Sequence, residues 1–101
     1  MSLDLACHVA ERLRERPELI EVARGNLARW SRQNAGASSL LRCYEEWQSI
    51  LARPLEEICG LLCASTDDAR RLRQNSPFAG VLSPAEVWEI KDRHRHAPAA
   101  A

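Results

Sequence analysis

The chain lacks most features that would announce a chemical function. It has no net charge, because 14 basic residues balance 14 acidic ones. Long-range attraction to nucleic acid or to an anionic membrane is therefore not built in, although local basic patches remain open to it. Lysine is almost missing: Lys91 is the one example, and arginine carries the rest of the positive charge. Arginine pairs bidentately and stacks on aromatic rings better than lysine does. With abundant alanine it also fits the codon bias of a GC-rich genome, so the preference alone marks no site.

Long apolar runs are absent too. Nothing approaches the ~20 apolar residues that span a bilayer. The start, Met1-Ser2-Leu3-Asp4, has neither the basic nor the apolar region of a secretory signal. These absences predict a cytoplasmic protein with no membrane partner, whose thiols stay reduced. Strand-like alternation, internal repeats and low-complexity tracts are also missing.

Chemistry-bearing motifs are equally scarce. Cys59 and Cys63 stand one helical turn apart, and His94 and His96 lie near the C-terminus, but no CxxC knuckle is paired with a second one. The sequence thus predicts no metal site, with Cys7, Cys43, Cys59 and Cys63 serving as small core residues. His8 adjoins Cys7, but helical neighbours point about 100° apart and do not form a nucleophile pair. A local pairing of His8 with Asp4, one turn earlier, is expected instead. Glu45-Glu46, Glu56-Glu57 and Asp67-Asp68 read as solvated faces or caps. No phosphate-cradling loop, HExxH or nucleophile elbow occurs. No catalytic residue and no cofactor are therefore expected.

What is present is helical. At 101 residues and 46% apolar content, the chain is sized for one domain with its own core. Leu5, Val9 and Leu13, flanked by Ala6 and Ala10, form one apolar stripe ending near Glu15. Pro17 should open a second helix reaching about Arg32, with Ile20, Ala23, Leu27 and Trp30 on its inner face. Gly25 in this helix suggests a close approach by another one. Residues 34–39 form a linker in which Ser38 or Ser39 caps a third helix, carrying Leu40, Tyr44, Trp47 and Leu51 to about Arg53.

Pro54 starts a fourth helix with Leu55, Ile58, Leu61 and Leu62. Ser65 to Asp68 reads as a capping box for a short fifth helix, with Ser65 as acceptor. Ser83-Pro84-Ala85-Glu86 is a strong start signal for a sixth, which bears Val87, Trp88, Ile90 and Lys91 and ends near Arg93. The expectation is an all-α fold, a compact bundle of five or six short helices built on an antiparallel core from the first four. Residues 1–93 would form the domain and 94–101 a flexible tail.

Two segments carry the functional expectation. Arg70, Arg71 and Arg73 cluster with Gln74 and Asn75, residue types that contact phosphates and base edges. The acidic pair before them and the neutral chain argue against DNA as the favoured partner. Beyond them, Pro77, Phe78, Val81 and Leu82 surround Gly80. They are either a lid on the core or apolar anchors presented to a partner.

The residues also bear a resemblance. His8-Val9-Ala10, Arg16-Pro17-Glu18-Leu19, Ala23-Arg24-x-Asn26-Leu27-x-Arg29-Trp30, Glu46-Trp47-x-x-Ile50-Leu51 and, most specifically, Leu72-Arg73-Gln74-x-Ser76-Pro77-Phe78-Ala79-Gly80-Val81-Leu82 resemble a family of small helical bacterial proteins. That family is associated with two-gene toxin–antitoxin modules, as the toxin's small partner. The resemblance implies a type II antitoxin that neutralises a cognate toxin by direct protein contact. In a chain without catalytic residues, the stretch that sets arginine anchors beside an apolar group is expected to face that partner: Arg70, Arg71, Arg73, Gln74, Asn75, Pro77, Phe78, Val81 and Leu82. A small helical DNA-binding regulator and a self-associating structural protein are the alternatives.

Overall fold

The computed structural model describes residues 1–96. Six α-helices and no strands occur among them: α1 Leu3–Glu15, α2 Ile20–Gln33, α3 Ser38–Leu51, α4 Leu55–Leu62, α5 Asp67–Arg73 and α6 Pro84–His96. The all-α bundle expected from the apolar stripes is what forms.

The starts and stops follow local chemistry, with some shifts. Ser2 caps α1 by accepting the Leu5 amide at 3.3 Å, two residues earlier than the stripe alone suggests. Pro17 does not begin α2 directly. It opens a 3₁₀ turn, Pro17–Leu19, which leads into α2 at Ile20. Neither Ser38 nor Ser39 caps α3: both lie in its first turn, and the cap position is Ala37 with no side-chain bond. At α5 the acceptor is Thr66, which takes the Ala69 amide at 3.2 Å, and not Ser65. Asp68 turns to Arg71 instead of reaching back to the cap.

The expected box at α6 is complete. Ser83 Oγ accepts the Glu86 amide at 3.1 Å, and Glu86 accepts the Ser83 amide at 3.0 Å. Glu86 also pairs with Arg12 of α1. The backbone bond from Ser83, and then the Arg12 guanidinium, hold the Glu86 carboxyl below its ordinary pKa. Ser83→Ala is expected to cost ~1 kcal/mol. Urea denaturation with an unchanged midpoint would show that the box contributes nothing. The far end of α6 departs from expectation: the helix runs through His96, because residues 91–96 contain no breaker and the next proline is Pro98. The rest of the expected tail, 97–101, lies outside the described residues.

The helices meet as two antiparallel pairs. Arg14 reaches Glu56 and the Cys59 thiol reaches the Ala10 carbonyl, which sets α1 against α4. Arg24 donates to the Leu51 carbonyl and Trp30 lies on Tyr44, which sets α2 against α3. Leu13, Leu27, Trp47, Ile58 and Leu62 are sealed in the core, as their stripes require. Trp30 is less enclosed than these. It is only partly buried, because it closes the edge of the α2–α3 pair against Tyr44. Gly25 mediates no close approach, since nothing lies within 4 Å of the position its Cβ would take.

Candidate functional site

The distinctive segment from Arg70 to Leu82 is tied to the core through Trp47 and Asn26 and is closed by a turn of its own. Trp47 donates its indole N–H to the Leu72 carbonyl at 3.1 Å and meets Phe78 edge-on, with centroids 5.7 Å apart. Asn26 on α2 donates to the carbonyls of Pro77 and Ala79, at 2.8 and 2.9 Å. Finally, Val81 donates to the Phe78 carbonyl at 3.1 Å, closing a turn whose third residue, Gly80, has φ of +93°. A type II turn needs that positive φ, which glycine adopts without strain.

This arrangement resolves the choice between lid and exposed anchors. Pro77, Phe78, Val81 and Leu82 are all buried, with Phe78 at 1% exposure. Of the two readings the lid is the one that forms, and the assignment of these four residues to an exposed partner contact is corrected: the fold spends them on closing its own core.

The arginine cluster is likewise divided. Arg73 is buried, at 5% exposure, and donates to the Leu62 and Ala64 carbonyls at the end of α4. It satisfies carbonyls that a helix C-terminus leaves unpaired, so its guanidinium is not an outward-facing contact. Arg71 is exposed but bridges Glu46, at 2.9 Å, and Asp68, at 2.7 Å. Its hydrogen bonds to Glu46 first, then to Asp68, raise its pKa and hold its charge. Arg70 alone of the three is solvent-facing with no carboxylate partner among the described residues. α5 therefore exposes Arg70 and Arg71, the second already paired with two carboxylates.

Gln74 and Asn75 do reach an accessible site. They border a groove of about 380 Å³ between α2, α3 and the loop after α5. Trp30 and Tyr44 form its aromatic side, with ring centroids 6.0 Å apart and planes at 46°. Asn34 and Ser76 complete its polar rim, and Asn34 is held by a 3.0 Å bond to the Trp30 carbonyl. Beside the groove lies a second hollow of about 170 Å³, apolar and lined by Leu5, Val9, Phe78, Leu82 and Val87. Met1 and Ala79 border both cavities. On the residue after Val87, the side chain of Trp88 stands 64% exposed.

Other expectations divide in the same way. His8 Nδ1 meets the Asp4 backbone carbonyl at 2.8 Å and its carboxylate at 3.5 Å, the local pairing expected. Of the cysteines only Cys59 is buried; Cys7 and Cys43 are half-buried and Cys63 is exposed, which corrects their assignment to the core. No three His, Cys, Asp or Glu side chains converge on a metal-sized site among the described residues. No described helix is long and apolar enough to cross a membrane.

Sequence reasoning missed Asn26, Trp30 and Tyr44 as parts of this region. Asn26 did leave a signal. It sits on the apolar stripe between Ala23 and Leu27, and a buried amide must find hydrogen-bond partners. The exposure of Trp88 left none, since apolar residues on one short helix do not reveal which of them turns outward.

No family model, curated protein or solved structure matches the chain.

Proposed function

We propose that this chain is a binding protein that acts by contact and not by catalysis, and that its partner is the toxin of a two-gene toxin–antitoxin module. The observation that carries the contact reading is the paired cavity. A groove bordered by two aromatic rings and several amides adjoins an apolar hollow, and the two share Met1 and Ala79 as a wall. Such a surface offers apolar area for burial and directional polar groups beside it, the combination found in protein interfaces. Exposed Trp88 and the partly buried Trp30 add residues of the type that dominates binding energy. The toxin as partner rests on the resemblance, whose most specific block, residues 72–82, supplies Ala79 and the groove's rim.

This moves the expected contact from Phe78 to the wall beside it. Gln74, Asn75 and Ala79 meet the partner, while Arg73, Pro77, Phe78, Val81 and Leu82 hold that wall in place.

Ala79→Arg tests the reading. Ala79 is exposed, so a long charged side chain there obstructs both cavities without entering the core. The variant is expected to melt like the wild type and to bind the product of the neighbouring reading frame at least ~100-fold more weakly, about 2.7 kcal/mol. Growth rescue in cells expressing that product should fail in parallel. Undiminished rescue by Ala79→Arg would remove the paired cavity from the mechanism. A neighbouring product that is harmless and unbound would remove the toxin.

A further inference from the structure

We infer that Cys7 and Cys63 form a thiol pair that a low-molecular-weight disulfide converts into an intramolecular disulfide, clamping α1 to the end of α4.

The register of the two helices places the pair. Moving back along α1 from its C-terminal end, Arg14 meets Glu56 at 3.3 Å and Ala10 meets Cys59 at 3.5 Å. Each step back of one turn on α1 corresponds to a step forward of about one turn on α4, as antiparallel packing requires. The next turn brings Cys7 opposite Cys63, and the Cys63 sulfur is among the causes that raise the Cys7 pKa. Two α1–α4 connections therefore already hold the helices in the register that the pair needs.

The four cysteines differ in access. Cys63 is exposed and is the residue where α4 ends. Cys7 is half-buried, and burial first, then its interaction as a protonated thiol with Cys63, pushes its thiol up to about 11. Cys59 is fully buried with its thiol turned to the Ala10 carbonyl. Cys43 lies on α3, near the Asn75 amide at 3.9 Å. Arg73 adds a fixed positive charge: its guanidinium is anchored on the Leu62 and Ala64 carbonyls, which flank Cys63, and it favours the Cys7 thiolate.

The access order sets the reaction order. The Cys63 thiolate attacks one sulfur of glutathione disulfide, forming a mixed disulfide and releasing one glutathione thiolate, which takes up a proton. Cys7 then loses its proton to solvent and attacks the Cys63 sulfur. The Cys7–Cys63 bond forms as the second glutathione leaves. The chain loses two protons and two electrons, and the reagent is reduced to two thiols. In a reducing compartment such a bond would be transient, the usual form of a redox-responsive pair.

The test treats the folded full-length chain with glutathione disulfide, alkylates the remaining thiols after denaturation, and maps peptides by mass spectrometry without reduction. Because Cys59 and Cys63 share a tryptic peptide, the mapping is repeated with Cys59→Ser and with Cys43→Ser. The expected result is one intrachain link between Cys7 and Cys63 in all three proteins. It should be accompanied by a rise in melting temperature on the order of 10 °C that thiol reductant reverses. Cys7→Ser should stop at a glutathione adduct on Cys63, and Cys63→Ser should give no link. A persistent Cys63 adduct in the wild type, a Cys59–Cys63 link, a link between two chains or four unreacted thiols would each overturn the inference.

Discussion

Trp47→Ala is expected to lower the unfolding free energy by ~3–5 kcal/mol, a large share of the ~5–15 kcal/mol that stabilises an ordinary domain. Trp47 is fully buried, and three losses coincide at this position. The indole leaves a cavity between α3 and the loop after α5, its N–H bond to the Leu72 carbonyl disappears, and Phe78 loses its edge-on ring. The last two both lie in the segment that borders the paired cavity. Trp30→Ala should cost clearly less, because Trp30 already keeps part of its surface in water. Denaturant titration of the two variants side by side gives the comparison. Equal losses, or a Trp47→Ala midpoint near the wild type, would contradict this account of the core.

Asn26→Ala is expected to cost ~2–4 kcal/mol although it removes only a small polar side chain. Two backbone carbonyls, of Pro77 and Ala79, depend on that amide, and burial makes each unpaired acceptor expensive. Asn26→Asp should be worse at neutral pH, since it puts a carboxylate against two acceptors. The effect should also be localised. Hydrogen exchange ought to rise first at the amide of Val81, whose bond to the Phe78 carbonyl closes the turn. Wild-type melting of Asn26→Ala would show that water replaces the amide, and that Asn26 does not hold the loop.

These two side chains explain why the sequence of the segment from Arg70 to Leu82 allowed a lid without excluding an exposed anchor. Its composition, with apolar residues next to arginines and a glycine, fits an exposed anchor and a core plug equally well. What decides between them is a ring on α3 and an amide on α2, 31 and 51 residues before Phe78 and Pro77 in the chain. Arg73 makes the same point. In sequence it belongs with Arg70 and Arg71, but it turns inward because α4 ends beside it with carbonyls to satisfy.

Short-range chemistry determined the helices themselves. The Leu5–Val9–Leu13 stripe, the proline after Arg16 and the box at Ser83 and Glu86 act within one or two turns, so the sequence alone could place them. The cap at Thr66 instead of Ser65 and the 3₁₀ turn at Pro17 are one- to three-residue shifts between local alternatives of similar energy. The tertiary structure decided which faces meet. It alone set α1 against α4, so that Ala10 meets Cys59, and turned Trp88 outward while Val87 and Ile90 pack inward. An apolar stripe specifies that a face must be covered but not by what. That choice depends on the joint burial of all six helices, to which each residue contributes only with partners distant in the chain.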